Sequence, residues 1–433
     1  MDQVKLIILD PGHFHAALIQ KEMYPWVSKR VAVYAPLGPE LVDYLNRVAL
    51  FNSRPENPTA WELEVHASPD SLERMLQDRP GNVVVMSGRN RGKIDRILAS
   101  LESGMHVLAD KPWIIASADL AKLEEALAAA ERKGLVGYDI MTERYEITSI
   151  LQRLLVNEPG VFGRPAPGTA EAPGVTARSV HHIMKLVAGM PIWRAVGFFD
   201  VAEYGEGLAD VGTHVVDLVQ WTLFPDQHLD YRADIRLLGA RHWPTLIRKD
   251  GFQRITRAGD FPASLAANVR DGQLHYHCNN FVHYTLRGVH VKLDILWNWE
   301  ASEGAGDLYE ASFRGTKARV EIRQGPAEKH RPELYVVPNT PALRAEVFTA
   351  LKTKLTALQA EYPGVGVREL GEQALILIPE RLRVGHEAHF AQVTNRFFEY
   401  LKSPQSLPAS EKSYMLAKYC VSTQGVELAE RNR

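Results

Sequence analysis

Cysteine is nearly absent: the 433 residues include only Cys278 and Cys420, far apart and without a partner at metal-ligand spacing. That excludes a disulfide framework and fits a reducing compartment. An excess of one charge is lacking too. The 50 basic and 52 acidic residues are interspersed, for a formal net charge of −2. No basic stripe exists to neutralise a phosphate backbone, so nucleic acid is not an expected partner. No uncharged stretch is long enough to cross a bilayer, so no membrane partner is expected either. The chain opens Met1-Asp2-Gln3 and enters an apolar run without a basic leader segment or cleavage pattern. The expected location is cytoplasmic. A G-x-S-x-G elbow is missing, which removes the main signal of a serine hydrolase.

What is present is an alternation. Through the first 140 residues, short apolar β-type runs alternate with helical segments, the pattern of a parallel sheet with crossover helices. The expected strands are Val4–Leu9, Val31–Tyr34, Glu64–Ala67, Val83–Met86, His106–Ala109 and Val136–Ile140. Before the last of them, Ser117 is placed to cap a helix with Leu120, Leu123, Leu127 and Ala130 on one face. Residues 1–140 therefore read as a doubly wound dinucleotide-binding domain of Rossmann type. Four prolines and four glycines between Glu158 and Gly174 then forbid regular structure. From Leu274 to Arg323 the pattern is strand-rich, and 141–433 reads as an α+β domain with a large, open, mostly antiparallel sheet. Val347, Leu351, Leu355 and Leu358 mark a surface helix near 343–361. Phe390, Val393, Phe397 and Leu401 mark the first of two C-terminal helices.

The first strand leads into Asp10-Pro11-Gly12-His13-Phe14-His15, where a nucleotide-binding fold puts its glycine-rich turn. Only Gly12 obeys the G-x-G-x-x-G pattern; Asp10 and His15 replace the outer glycines. The end of the second strand, Tyr34-Ala35-Pro36-Leu37, carries no acid for a ribose, so NAD and NADP stay undecided. The turn Ser87-Gly88-Arg89-Asn90-Arg91-Gly92-Lys93 offers Ser87, Arg89 and Asn90 to a cofactor. It imitates a phosphate loop but is one residue short and ends in Ile94, which argues against a nucleoside triphosphatase.

Two further segments carry a resemblance. Gly104-Met105-His106-Val107-Leu108-Ala109-Asp110-Lys111-Pro112 resembles the G-K-H-V-L-x-E-K-P segment of the Gfo/Idh/MocA oxidoreductase family, with Asp110 in place of Glu. Gly207-Leu208-Ala209-Asp210-Val211-Gly212-Thr213-His214-Val215-Val216-Asp217 is similar to that family's G-x-x-x-D-x-G-x-H-x-x-D signature. On a helix, Asp210, His214 and Asp217 share a face. The resemblance implies a two-domain NAD- or NADP-dependent dehydrogenase acting on a sugar, glycoside or polyol, with homo-oligomer formation a family expectation. It also implies Lys111, Asp210 and His214 as catalytic residues. Gly12, His13, Phe14, His15, Ser87, Arg89, Asn90, Asp110, Lys111 and Pro112 are then expected near the cofactor.

His181, His182 and Lys185 follow the Pro/Gly loop and, with Asp217, are candidates for substrate binding. Trp193, Trp221, Trp297 and Trp299 have faces suited to pyranose stacking, with packing in the core the more common use of tryptophan. His275 with His277, and His386-Glu387-Ala388-His389, show no third ligand, so no metal is expected. The mechanism that follows has His214 as general base, Asp210 orienting it and Lys111 polarising the substrate oxygen. Two alternatives are a redox-neutral glycoside lyase or hydrolase working through a transient keto-sugar, and a non-catalytic sugar or nucleotide sensor.

Overall fold

A computed structural model describes residues 3–187, 190–302 and 305–432; Met1 and Asp2 of the opening segment lie outside the described residues. The chain divides into two compact units. The first comprises Met1–Thr142 and His386–Leu416, and the second Glu143–Gly385 and Ala417–Arg433. The first C-terminal helix, His386–Lys402, thus belongs with the N-terminal unit, which a single boundary at 140 does not anticipate.

In the first unit, strands β1 (Leu6–Leu9), β2 (Arg30–Ala35), β3 (Glu62–Ala67), β4 (Val83–Met86), β5 (His106–Ala109) and β6 (Gly137–Asp139) form one sheet in the order β3-β2-β1-β4-β5-β6. Every pairing is parallel. β1 and β4 are continuous apolar runs, buried along their whole length because both sheet faces are covered. Each such buried aliphatic side chain contributes roughly 1.5–3 kcal/mol. Edge strand β3 is instead open to solvent along its length, with Glu62, Glu64, Val65 and Ala67 exposed. Order reverses between β1 and β4, the switch point at which open α/β sheets take ligands beyond the carboxyl ends of their strands. The helix Leu120–Lys133 buries the expected Leu120, Leu123, Leu127 and Ala130. Ser117 opens a short 3-10 turn ahead of this helix, and Asp119 takes the cap position.

The second unit is built on a ten-stranded sheet. Its central strand β7 (Val175–Met184) pairs in parallel with Val289–Glu300 and antiparallel with Leu308–Arg314. The remaining ladders are antiparallel. The chain between helix Ile147–Val156 and β7 is loop, as the prolines require. The surface helix is Arg344–Ala357, with Val347, Leu351 and Leu355 buried.

Candidate functional site

In the first unit the site is built at the β1/β4 switch point. Asp10 leaves β1 with φ of 48°, a left-handed conformation that glycine normally supplies. Asp10 is held there by Ser71, whose Oγ donates at 3.0 Å, and by an ion pair with Arg96, whose Nε lies 3.2 Å from its carboxylate. Burial raises the Asp10 carboxyl, against the pull of Arg96. Gly12 then passes Gly88 closely: a Cβ at Gly12 would stand 3.0 Å from the Gly88 Cα, and one at Gly88 only 2.3 Å from the Asp10 carbonyl oxygen. Two bare backbones therefore meet beside a cleft of about 250 Å³. Gly12, Leu37, Glu40, Gly88, Arg89 and Arg96 are among the residues that line it. A glycine cradle with two arginines fits the phosphates of a dinucleotide.

Two expectations about this turn change. The helix that should point its N-terminus at the pyrophosphate is a single turn, His15–Leu18, too short to supply a dipole. The positive charge at the cleft comes from arginines, and Arg89 is exposed there while Arg96 is paired with Asp10. The acid missing from the end of β2 is also present after all, as Glu40 in the first turn of helix Pro39–Ser53.

At the end of β5, Asp110 is buried and one oxygen, Oδ2, collects three donors. These are His15 Nδ1 at 2.9 Å, His13 Nδ1 at 3.1 Å and Ser87 Oγ at 3.1 Å. Burial alone would raise the Asp110 carboxyl, but the imidazoles hold it well below the usual carboxylate range. Burial lowers the His15 imidazole to about 4, so His15 is a neutral donor at pH 7. His15 does not turn toward the cleft. Its ring stacks on His386 at 5.1 Å and lies 5.4 Å from Phe390. Phe14 is half-exposed, with the Arg47 guanidinium 5.6 Å from its ring centroid.

Lys111 is half-buried and Pro112 buried, joined by a cis peptide. The residue that grips this turn is Lys93, which sequence reading passed over. Only 2% exposed, its Nζ donates to the carbonyls of Asp110 at 3.0 Å and Pro112 at 3.1 Å, and to Asn90 Oδ1 at 2.7 Å. Asn90 accordingly faces inward, in a supporting position and not at the cleft surface.

In the second unit, Asp210 lies in the turn before helix Gly212–Leu223 and not on the helix itself; the Thr213 hydroxyl donates to its carbonyl at 2.5 Å. Asp210 acts electrostatically on Arg194 and Tyr276. His214 is half-buried in the first helical turn. Asp217 is 1% exposed and clamped by Arg144, whose Nε and Nη2 donate at 2.6 and 2.8 Å. That bidentate pair ties Asp217 to the scaffold, so it is corrected from a substrate contact to a buried anchor.

His181, His182 and Lys185 do converge, on Asp307, a residue the sequence did not flag. Its Oδ2 accepts from His181 Nδ1 at 3.0 Å and from Lys185, while Oδ1 accepts from the His182 backbone at 3.1 Å and its Nδ1 at 3.2 Å. Burial would raise this carboxyl, but His181 and Lys185 hold it far below its ordinary range. The His181 ring lies 4.9 Å from Trp297, and Arg194 covers Trp297 at 5.4 Å. Trp221 is covered by Arg153 at 4.5 Å. Trp299 fills the space beside Gly251, whereas Trp193 is exposed.

Residues 151–430 match the family described as "Putative oxidoreductase C terminal domain". A solved structure, "a putative oxidoreductase from Parabacteroides merdae ATCC 43184", is 44% identical over 100% of this chain and 98% of that one, with a TM-score of 0.97. Levoglucosan dehydrogenase, solved with NADH and levoglucosan, shares the fold at 12% identity and a TM-score of 0.61, over 99% of this chain and 98% of its own. So does GenD2 from gentamicin A biosynthesis, solved with NAD, at 14% and 0.58, over 100% and 96%. No curated protein matches the chain. In all described residues no helix is long and apolar enough to cross a membrane.

Proposed function

Because the chain belongs to the oxidoreductase family defined by that C-terminal domain, we propose that it is a nicotinamide-dependent enzyme moving a hydride between NAD and a hydroxyl-bearing or keto carbon of a sugar, glycoside or polyol. The observation that carries this reading is the Gly12–Gly88 cradle, opening on a cleft at the β1/β4 switch point. Gly12, Gly88 and Arg89 would hold the pyrophosphate, and Glu40 the adenosine ribose. A nicotinamide, when bound, supplies the hydride acceptor.

The chain's own residues divide the remaining work. His214 accepts the proton of the substrate hydroxyl as general base. Lys111 donates a hydrogen bond to the oxygen as negative charge builds on it. Asp210 keeps a negative charge close to Arg194 and sets the local field. His181 and Lys185, fixed by Asp307 and partly exposed, offer polar groups to sugar hydroxyls, with the buried Trp297 ring backing His181. The levoglucosan bound by a relative of the same fold supports that substrate class.

The test mixes protein, NAD or NADP and a panel of sugars, glycosides and polyols, and follows the reduced-nicotinamide absorbance band. Net absorbance change with at least one member is the expected result. Substrate turnover without any change replaces this reading with redox-neutral elimination, and no turnover with either dinucleotide refutes it.

A further inference from the structure

We propose that His13, His15 and Asp110 form a binding site for one divalent transition cation of the zinc type. One imidazole nitrogen each from His13 and His15 and one Asp110 carboxylate oxygen lie within 4.8 Å of one another. The two nitrogens stand 3.1 and 2.9 Å from the same oxygen. A tetrahedral zinc site with metal–nitrogen and metal–oxygen bonds of about 2.0–2.2 Å has ligand-to-ligand edges of about 3.3 Å. The two nitrogen–oxygen edges need open by only a few tenths of an ångström.

A second observation points the same way. The other Asp110 oxygen, Oδ1, is buried and has no hydrogen-bond partner among the described residues. A buried carboxylate oxygen without a partner is destabilising, and a cation held by both Asp110 oxygens would engage it. The remaining surroundings suit a metal site: Ser87 Oγ steadies Oδ2 at 3.1 Å, and the His386 ring, stacked 5.1 Å from His15, fixes the imidazole plane. Two imidazoles and a carboxylate select zinc, cobalt or nickel over magnesium and calcium, which prefer oxygen donors. Three protein ligands also leave a coordination position for water or a substrate oxygen, beside Lys111. The cation would take the place of the two Nδ1 protons, with each imidazole carrying its proton on Nε2.

The inference does not rest on the dinucleotide reading, and its test omits the dinucleotide. Tag-free protein, stripped by chelator and dialysed, is titrated with Co2+ while the visible ligand-field bands are recorded; Zn2+ is then added as competitor. The expected result is saturation at one Co2+ per chain, bleaching by Zn2+, and at least a tenfold loss of Co2+ affinity in His13→Ala and in Asp110→Asn. His13 is 44% exposed, so its truncation leaves the fold intact, as circular dichroism will verify. Absence of a saturable Co2+ band in the wild type, or titration of both variants like the wild type, overturns the proposal.

Discussion

Replacing Lys93 by methionine isolates the contribution of the turn's support. The side chain has about the same length, fits the same buried channel and loses only its three donors. Left behind are Asn90 Oδ1 and the carbonyls of Asp110 and Pro112, at 2.7, 3.0 and 3.1 Å from the missing nitrogen. Net hydrogen-bond contributions of about 1 kcal/mol each put the loss at roughly 3 kcal/mol. Relief of the cost of burying an ammonium offsets part of it, leaving about 2–3 kcal/mol. For a unit of this size, 1 kcal/mol moves Tm by about 2–4 °C, so calorimetry should show a drop of roughly 4–12 °C. Because two of the three acceptors flank Lys111, kcat should fall about tenfold or more, while KM for the dinucleotide changes little. A Tm within about 1 °C of wild type, or a KM effect without a kcat effect, would refute the assignment of Lys93 as the residue positioning Lys111.

Arg89→Ala should raise KM for NAD roughly tenfold with kcat preserved, because Arg89 is exposed at the cleft and interacts with phosphate in ground and transition states alike; unchanged KM counts against it. Glu40→Ala should narrow the preference for NAD over NADP, since the carboxylate that suits a ribose hydroxyl repels a 2′-phosphate; the ratio of the two kcat/KM values reads it directly. Asp307→Asn should destabilise the protein at neutral pH and much less in acid. The Asp307 carboxyl is depressed in the folded chain, so its stabilisation is complete above the unfolded value of 3.8 and vanishes as pH falls through the folded one. Melts of both proteins at neutral pH and below 3.8 measure that difference; equal gaps at both would contradict it.

Much of this architecture was legible because it is local. The apolar runs of β1, β4 and β5 and the stripe Leu120, Leu123, Leu127, Ala130 are local signals; β4, β5 and the stripe form as read, and β1 begins at Leu6 instead of Val4. The site was legible only where its chemistry lies within one short segment. Asp307 joins His181, His182 and Lys185 across more than 120 residues, brought there by the antiparallel pairing of Leu308 with Val180, which no local pattern encodes. Lys93 looked like a failed phosphate-loop lysine because its partners are main-chain carbonyls, which any residue type can offer. Asp217 has the right spacing from His214, yet its partner Arg144, 73 residues upstream, turns it into scaffold. Glu40 was overlooked because the acid stands in the helix after β2 and not at the strand's end.

The central claim is that a dinucleotide lies in the Gly12–Gly88 cradle. Calorimetric titration of NAD into the wild type and into Gly12→Val tests it most directly. Any side chain at Gly12 must displace the Gly88 backbone that a Cβ would already meet at 3.0 Å. The account predicts saturable binding at one NAD per chain in the wild type and at least a tenfold weaker affinity in Gly12→Val, with both proteins folded. No NAD or NADP binding at millimolar concentration, or equal affinity in the two proteins, would contradict it.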